Sequence, residues 1–502
     1  MAKSKKSSFA ENYEKKHGIA WEYKGERLDR AKMDELKSVL EQYVYDDSAD
    51  AIIFGKGKKP EPRYKIYIPK DDWKQIKTKY KDSYGSINLN KYIKIALSDL
   101  IDKYKIPPPF KRISEADARK AFVELSQDPE LFGHLSRRHK ELKHKKRLKK
   151  GKHYALELIN HKKIAIKPST NSIHDYKWKI TDEKDFAYVI TSSRVGSEAS
   201  NFFHIIERMD VATKSGEAPN VVWNEPKLRK KMFDALWTMT TLKHLDMGNI
   251  LDAIKKKVQL AGSFKPTVAK CLYRLFDAES VYDPSMGWGD RLLAFLATPH
   301  TKRYVGFDPN EKLHKGYKEQ LELYGKALEP IYGIEKKVEM NASGAEVADF
   351  SKYENQFDLV FTSPPYFDTE KYSDDESQSY LLYPKLDLWL EKFLFKMLSG
   401  AWTVLKDGGV LAMNIHDIRK GSSFDRICDP MNDFISTLPG ASFIGGMGMQ
   451  ISQMANTKAD YSLVQTEPIW IWGKNNGEKK LLDYFRAKKK FLKDYDQPDL
   501  YD

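Results

Sequence analysis

A glycine-rich turn set between an apolar strand and a helix constrains this chain more than any other feature. Ser280-Val281-Tyr282 runs into Asp283-Pro284-Ser285-Met286-Gly287-Trp288-Gly289-Asp290-Arg291, and Leu292 to Ala297 reads as helix. Residues without a Cβ let the backbone pass close to a ligand, while the opening helix presents N–H groups that have no partner inside it. Gly287 and Gly289 meet that need. The next strand, Arg303-Tyr304-Val305-Gly306-Phe307, ends in Asp308, 25 residues after Asp283. A carboxylate at that place accepts hydrogen bonds from both hydroxyls of a ribose, so an adenosine-bearing cofactor is expected. From about residue 264 onward short apolar strands alternate with helices, the pattern of an α/β, doubly wound parallel sheet. A nicotinamide-dependent oxidoreductase uses the same kind of sheet, but its fingerprint needs a third glycine three residues after the second, and that place is Leu292.

The second motif, Thr362-Ser363-Pro364-Pro365-Tyr366, follows the apolar run Phe357-Asp358-Leu359-Val360-Phe361. Ligands bind at the carboxyl ends of such strands. The residue types suit one chemical problem: an exocyclic amine on a nucleobase is a poor nucleophile because its lone pair is delocalised into the ring. The hydroxyl of Ser363 and the carbonyl of Pro364 would each accept one N–H bond, aim the lone pair at an incoming methyl group and stabilise the positive charge that develops. Consecutive prolines, Pro364 and Pro365, lock φ and leave carbonyls without competing amides. Tyr366 supplies an aromatic face on which a base rotated out of its helix can stack. Ser-Pro-Pro-Tyr is also an ordinary turn sequence; its place at a strand end downstream of the glycine turn favours the chemical reading.

With these residues in view the chain resembles the DNA amino-methyltransferases, S-adenosylmethionine-dependent enzymes that make N4-methylcytosine or N6-methyladenine. Thr362 to Tyr366 matches their catalytic motif, and Asp283, Pro284, Gly287 and Gly289 match their cofactor motif, with Ser285 in place of the usual phenylalanine. Ser263-Phe264-Lys265-Pro266-Thr267 is similar to the family's segment that touches the methionine end of the cofactor, so Phe264, Lys265 and Pro266 are implied as cofactor contacts. Asp308 takes the ribose place, and Glu346, after Val338-Glu339-Met340, resembles the acid near the adenine. Leu405-Lys406-Asp407-Gly408-Gly409 resembles the turn into the family's fifth strand, and Tyr461 to Lys474 its closing antiparallel strand. The resemblance thus implies a doubly wound seven-stranded methyltransferase sheet over residues 261–476, followed by a charged tail, 477–502. Serine at the first motif position is commoner among the family's cytosine enzymes, which favours cytosine N4; adenine N6 and the amino groups of RNA are alternatives. A non-catalytic nucleic-acid-binding protein on the same fold is the reading from a different class.

Charge supports a polyanionic partner. The chain has 502 residues, 85 Lys+Arg against 71 Asp+Glu and a net charge of +14, which suits nucleic acid or an anionic membrane, and charge alone does not choose between them. Much of the excess lies between Gly133 and Lys167, with 13 Lys/Arg against 2 Asp/Glu. Arg137, Arg138, Lys140, Lys143, Lys145, Lys146, Arg147, Lys149 and Lys150 leave almost no apolar face, so this segment is solvated or bound to phosphates. Between Asp308 and Ser363 there is no space for a target-recognition domain, and recognition is therefore expected upstream. The expected division is an N-terminal module at 1–115, helical or α+β, with a strand-like run at Tyr64 to Ile68, and a basic nucleic-acid-binding region at 116–260. Ser192 to Ser197 is read either as a phosphate or base contact or as a loop that caps the next helix. Phe367 to Tyr383, polar and acidic, is read either as a loop closing over a flipped base or as a flexible connection. No apolar run approaches the roughly 20 residues of a membrane span, and the first residues lack the apolar centre of a signal peptide, so a soluble cytoplasmic protein is expected. Cys271 and Cys428, far apart and without metal-ligand spacing, predict buried thiols and no metal.

Overall fold

Strands with unbroken apolar runs need cover on both faces, and the arrangement of this chain follows from providing it. The computed structural model describes residues 113–127, 186–190, 193–213, 216–238, 258, 261–372, 375–451 and 463–479, with the strand residues 22–23, 26–27, 51–53, 65–67, 132–134, 156–160 and 165–168. The chain forms two compact units, Met1–Ser114 with Ile205–Ala261, and Glu115–His204 with Gly262–Asp502. The first contains two short antiparallel pairs, Glu22–Tyr23 with Glu26–Arg27 and Ala51–Ile53 with Lys65–Tyr67, the last of these strands lying within the run read at Tyr64 to Ile68. It also holds the helices Pro219–Asn224 and Pro226–Thr238, joined where the fully buried Arg229 guanidinium donates to the Trp223 carbonyl at 2.6 Å.

The second unit is built on an eleven-stranded sheet. Its strands are β1 (Phe132–His134), β2 (Leu156–Asn160), β3 (Ala165–Pro168), β4 (Phe186–Ile190), β5 (Ser280–Asp283), β6 (Arg303–Phe307), β7 (Lys337–Asn341), β8 (Phe357–Thr362), β9 (Leu405–Asn414), β10 (Ala441–Gln450) and β11 (Leu463–Lys474). Their spatial order is β7-β6-β5-β8-β9-β11-β10-β4-β2-β1, with β3 alongside β11. The seven strands expected from the sequence are one unbroken run of this order, doubly wound about β5, with β11 antiparallel to both β9 and β10. The four upstream strands enlarge it: β4 pairs with β10 in parallel, Gly448 opposite Val189, and closes an edge that would otherwise present unpaired backbone groups.

Alternation along the strands sorts the cover. Tyr282, Val305, Val360 and Leu411 share a core cluster with Met397, Leu398 and Ala401 of the helix Lys396–Val404 and with Met431 and Ile435 of Cys428–Ser436. The neighbouring positions reach other helices: Tyr304 meets Phe295 of α4 (Asp290–Leu296) at 5.2 Å and Phe361 meets Tyr273 of α3 (Pro266–Leu275) at 6.2 Å between ring centroids. At about 1.5–3 kcal/mol for each large apolar side chain fully buried, these two layers dominate the stability of the unit. Two further helices complete its frame, α1 (Glu115–Ser126) and α5 (Glu311–Tyr324), and α2 (Ser197–Met209) begins in it. Both cysteines are buried, and burial pushes the Cys271 thiol up to about 12. Among the described residues no helix is long and apolar enough to cross a membrane.

Candidate active site

Strand register puts the two sequence motifs side by side. β5 and β8 are parallel neighbours, with Val281 opposite Leu359 and Tyr282 opposite Val360. The glycine turn and the Ser-Pro-Pro-Tyr segment therefore leave the same edge of the sheet from strands about 4.8 Å apart. One strand further, Thr362 faces Met413 of β9, and Asn414 faces Ile469 of β11. Ser363, Asn414 and the start of β11's apolar run consequently share one level of the sheet edge.

The glycine turn is held from beneath. Asp283 is fully buried; its carboxylate accepts from Arg291 Nε at 2.8 Å, from the Tyr304 hydroxyl at 2.7 Å and from the Ser285 N–H at 3.2 Å. Gly287 has φ +57°, and a Cβ there would meet nothing within 4 Å, so open space lies over the turn. Gly289, at φ +72°, is crowded instead by Gln320 and His204, and Gln320 Nε2 donates to its carbonyl at 2.9 Å. Asp308 bridges turn and strand: one carboxylate oxygen accepts the Gly287 N–H at 2.9 Å and the other the Asn310 N–H at 3.0 Å. Burial lifts its carboxyl to about 6, against those two hydrogen bonds. The Tyr317 hydroxyl donates to the Gly287 carbonyl.

The Ser-Pro-Pro-Tyr segment is tied to the end of β9. Ser363 Oγ donates to Asn414 Oδ1 at 3.3 Å, and the Tyr366 hydroxyl donates to the Asn414 carbonyl at 3.2 Å and to Oδ1 at 3.3 Å. Asn414 Nδ2 donates to the Pro468 carbonyl of β11 at 2.8 Å. The Tyr366 ring meets His416 edge-on at 4.6 Å, and burial pushes its hydroxyl far above the usual phenol range. Pro364 is buried and Pro365 half-buried.

Other predicted residues fall around this edge. Phe264 packs edge-on against Phe361 at 5.4 Å beneath the Arg291 guanidinium, Lys265 precedes α3, and Pro266 is its first residue. Pro284 is buried at the start of the turn. Glu346 lies in a single 3-10 turn after β7; it is 8% exposed, and burial raises its carboxyl, a rise that Lys396 opposes. Arg137, Arg138, Lys140, Lys143, Lys145, Lys146, Arg147, Lys149 and Lys150 lie outside the described residues. Ser193 to Gly196 forms a loop leading into the helix Ser197–Met209, where Ser193 Oγ accepts the Val195 N–H.

Several residues at the site carry no motif. Trp288 Nε1 donates to the Gly262 carbonyl at 2.9 Å, Gly262 N–H donates to Glu370 at 3.2 Å, and the Tyr372 hydroxyl donates to the same carboxylate. The beginning of the acidic segment after Tyr366 is thus fastened back toward the glycine turn, with Tyr372 against Trp288 at 5.8 Å. Burial raises the Glu467 carboxyl above the usual carboxylate range, a rise that His416 and Lys265 oppose and Glu370 reinforces. The one signal for Asn414 in the sequence is a polar residue ending the apolar run Val410 to Met413.

No family model and no curated protein matches the chain. Solved structures similar to it include an S-adenosylmethionine-dependent O-methyltransferase from Thermotoga maritima, 13% identical over 43% of this chain and 67% of that one, with a TM-score of 0.26. TrmN from Thermus thermophilus is 18% identical over 43% of this chain and 51% of its own, at 0.27. An rRNA methylase from Streptococcus thermophilus is 17% identical over 43% of this chain and 99% of its own, at 0.26. The chain therefore spans about half the length of the Thermus protein.

Proposed function

We propose that the chain transfers the methyl group of S-adenosylmethionine to an exocyclic amine of a nucleic-acid base, with cytosine N4 in DNA as the leading substrate. The observation that carries this reading is the parallel register of β5 and β8, by which an open glycine turn and an array of amine acceptors share one edge of the sheet. The residues fit the cofactor: the space over Gly287 admits a ligand, and Asp308 at the end of β6 has two carboxylate oxygens beside it. The reversed strand between β9 and β10 departs from the 3-2-1-4-5-6 order of dinucleotide enzymes, which counts against the oxidoreductase reading.

When bound, S-adenosylmethionine supplies an electrophilic methyl group on a sulfonium. The chain orients its acceptor. Ser363 Oγ and the Pro364 carbonyl accept the two amine N–H groups, turning the nitrogen lone pair out of conjugation; the N–C bond forms as the sulfonium–methyl bond breaks, and the surplus proton of the methylated amine passes to solvent. Pro364 and Pro365 hold these acceptors rigid, and Tyr366 and His416 border the base site. The basic run at 137–150 neutralises phosphates, so binding falls steeply with salt.

The test is transfer of labelled methyl groups by the full chain to unmethylated amplified DNA and to transcribed RNA, followed by nucleoside mass spectrometry. N4-methylcytosine in DNA is the expected product, and Ser363→Ala lowers the rate by about a hundredfold with cofactor binding intact. Label in adenine or in RNA reassigns the substrate, and label in neither refutes the activity.

A further inference from the structure

A serine hydroxyl faces a substrate in either of two senses, giving its hydrogen or accepting one. At Ser363 the choice is made by a neighbour on another strand. Asn414 is 1% exposed at the end of β9, and its Nδ2 donates to the Pro468 carbonyl at 2.8 Å. A carbonyl only accepts, so the amide of Asn414 cannot turn over, and Oδ1 is fixed toward the catalytic motif. There it takes the hydrogen of Ser363 Oγ at 3.3 Å. The Tyr366 hydroxyl also directs its hydrogen at Asn414. The Tyr366 hydroxyl oxygen also lies 3.5 Å from Ser363 Oγ; with its own hydrogen directed at Asn414 it is a second inward acceptor for the serine hydrogen, and Ser363 presents lone pairs on its open side. We infer that Asn414 is a positioning residue that commits Ser363 to accepting, and so restricts the reacting group to one that brings N–H donors. This deepens the methyl-transfer reading and rests on it: the site holds an amine, and has no serine hydrogen to offer a ring nitrogen or a carbonyl oxygen. Because Asn414 is itself oriented by Pro468, the antiparallel strand β11 sets the polarity of a motif that follows β8.

A mutant cycle on the full chain separates this role from simple support of the fold. The variants are Asn414→Leu, which keeps volume without an acceptor, Asn414→Asp, which keeps acceptor oxygens, and each of these combined with Ser363→Ala. Methyl transfer is measured on the amplified DNA and transcribed RNA used above, and S-adenosylmethionine binding by calorimetry. Asn414→Leu is expected to lower kcat by about tenfold to a hundredfold with unchanged cofactor affinity. In that background Ser363→Ala then lowers it by less than about threefold more, since the two act as one unit. In the Asn414→Asp background Ser363→Ala keeps its full effect, which also decides the matter if Asn414→Leu fails to bind cofactor. An equal Ser363→Ala factor in wild type and in both Asn414 backgrounds overturns the inference while leaving the methyltransferase reading standing. Wild-type protein that labels neither nucleic acid overturns that reading, and the role of Asn414 with it.

Discussion

Alanine at Gly287 separates a backbone effect from the use of the space above it. Gly287 has φ +57° and open space where a Cβ would be. Gly333 provides the control: it has φ +64°, ends the short helix Glu329–Tyr332 and has equally open space. An L-residue in the left-handed region costs about 1–2 kcal/mol, so both alanine variants are destabilised alike. For a unit of this size the midpoint of thermal unfolding falls by about 2–4 °C per kcal/mol in each. Only at Gly287 does the new methyl enter the open space over the glycine turn. A ligand seated there meets an extra group, and overpacking costs about 1–3 kcal/mol, or about 5- to 150-fold in Kd. Thermal unfolding of both variants and calorimetric titration with S-adenosylmethionine give the two quantities separately. Cofactor affinity equal in Gly287→Ala and Gly333→Ala would refute the placement of the cofactor over the glycine turn.

Asp308 gives a pH dependence whose direction follows from its raised carboxyl, near 6. The ionised form accepts the ribose hydroxyls, so cofactor affinity holds above that value and falls as pH drops through it. Calorimetry across this range checks the fall, which Asp308→Asn abolishes. Gly400→Ala tests a close approach in the fold: its Cβ would stand 1.9 Å from Phe350 Cζ, and a loss of about 1–3 kcal/mol is expected in urea unfolding. Lys270→Met removes a buried cation whose Nζ donates to the carbonyls of Leu125, Ser126 and Gln127 at 2.7, 3.1 and 3.4 Å, closing the end of α1. The volume is kept and the acceptors are stranded, so stability falls by about 1–3 kcal/mol in the same assay.

The parallel core was legible because its signals are local. A buried strand needs a continuous apolar run, a turn with positive φ needs glycine, and a strand end followed by Ser-Pro-Pro-Tyr carries its chemistry within five residues. Those signals located β5 to β9, the closing strand β11, Gly287, Asp308 and Ser363; β10 carried no such signal, and the count of seven came from the family resemblance. Contacts across the sheet left no such mark. The roles of Asp283 beneath the turn, of Asn414 beside Ser363 and of Glu467 near His416 depend on which strands lie next to each other. The same is true of β3 and β4, which join the sheet by pairing with β11 and β10 far away in the chain, β2 and β1 following on β4.

The amino-acid order by itself determined the kind of sheet and the two segments at which its chemistry would gather, because both are written in neighbouring residues. Tertiary structure alone decided that these segments share one edge, and that an asparagine on the next strand accepts the hydrogen of the Ser363 hydroxyl. The physical reason is that a hydrogen bond's direction depends on every partner its atoms can reach, and the partners of Ser363 come from β9 and, through Pro468, from β11.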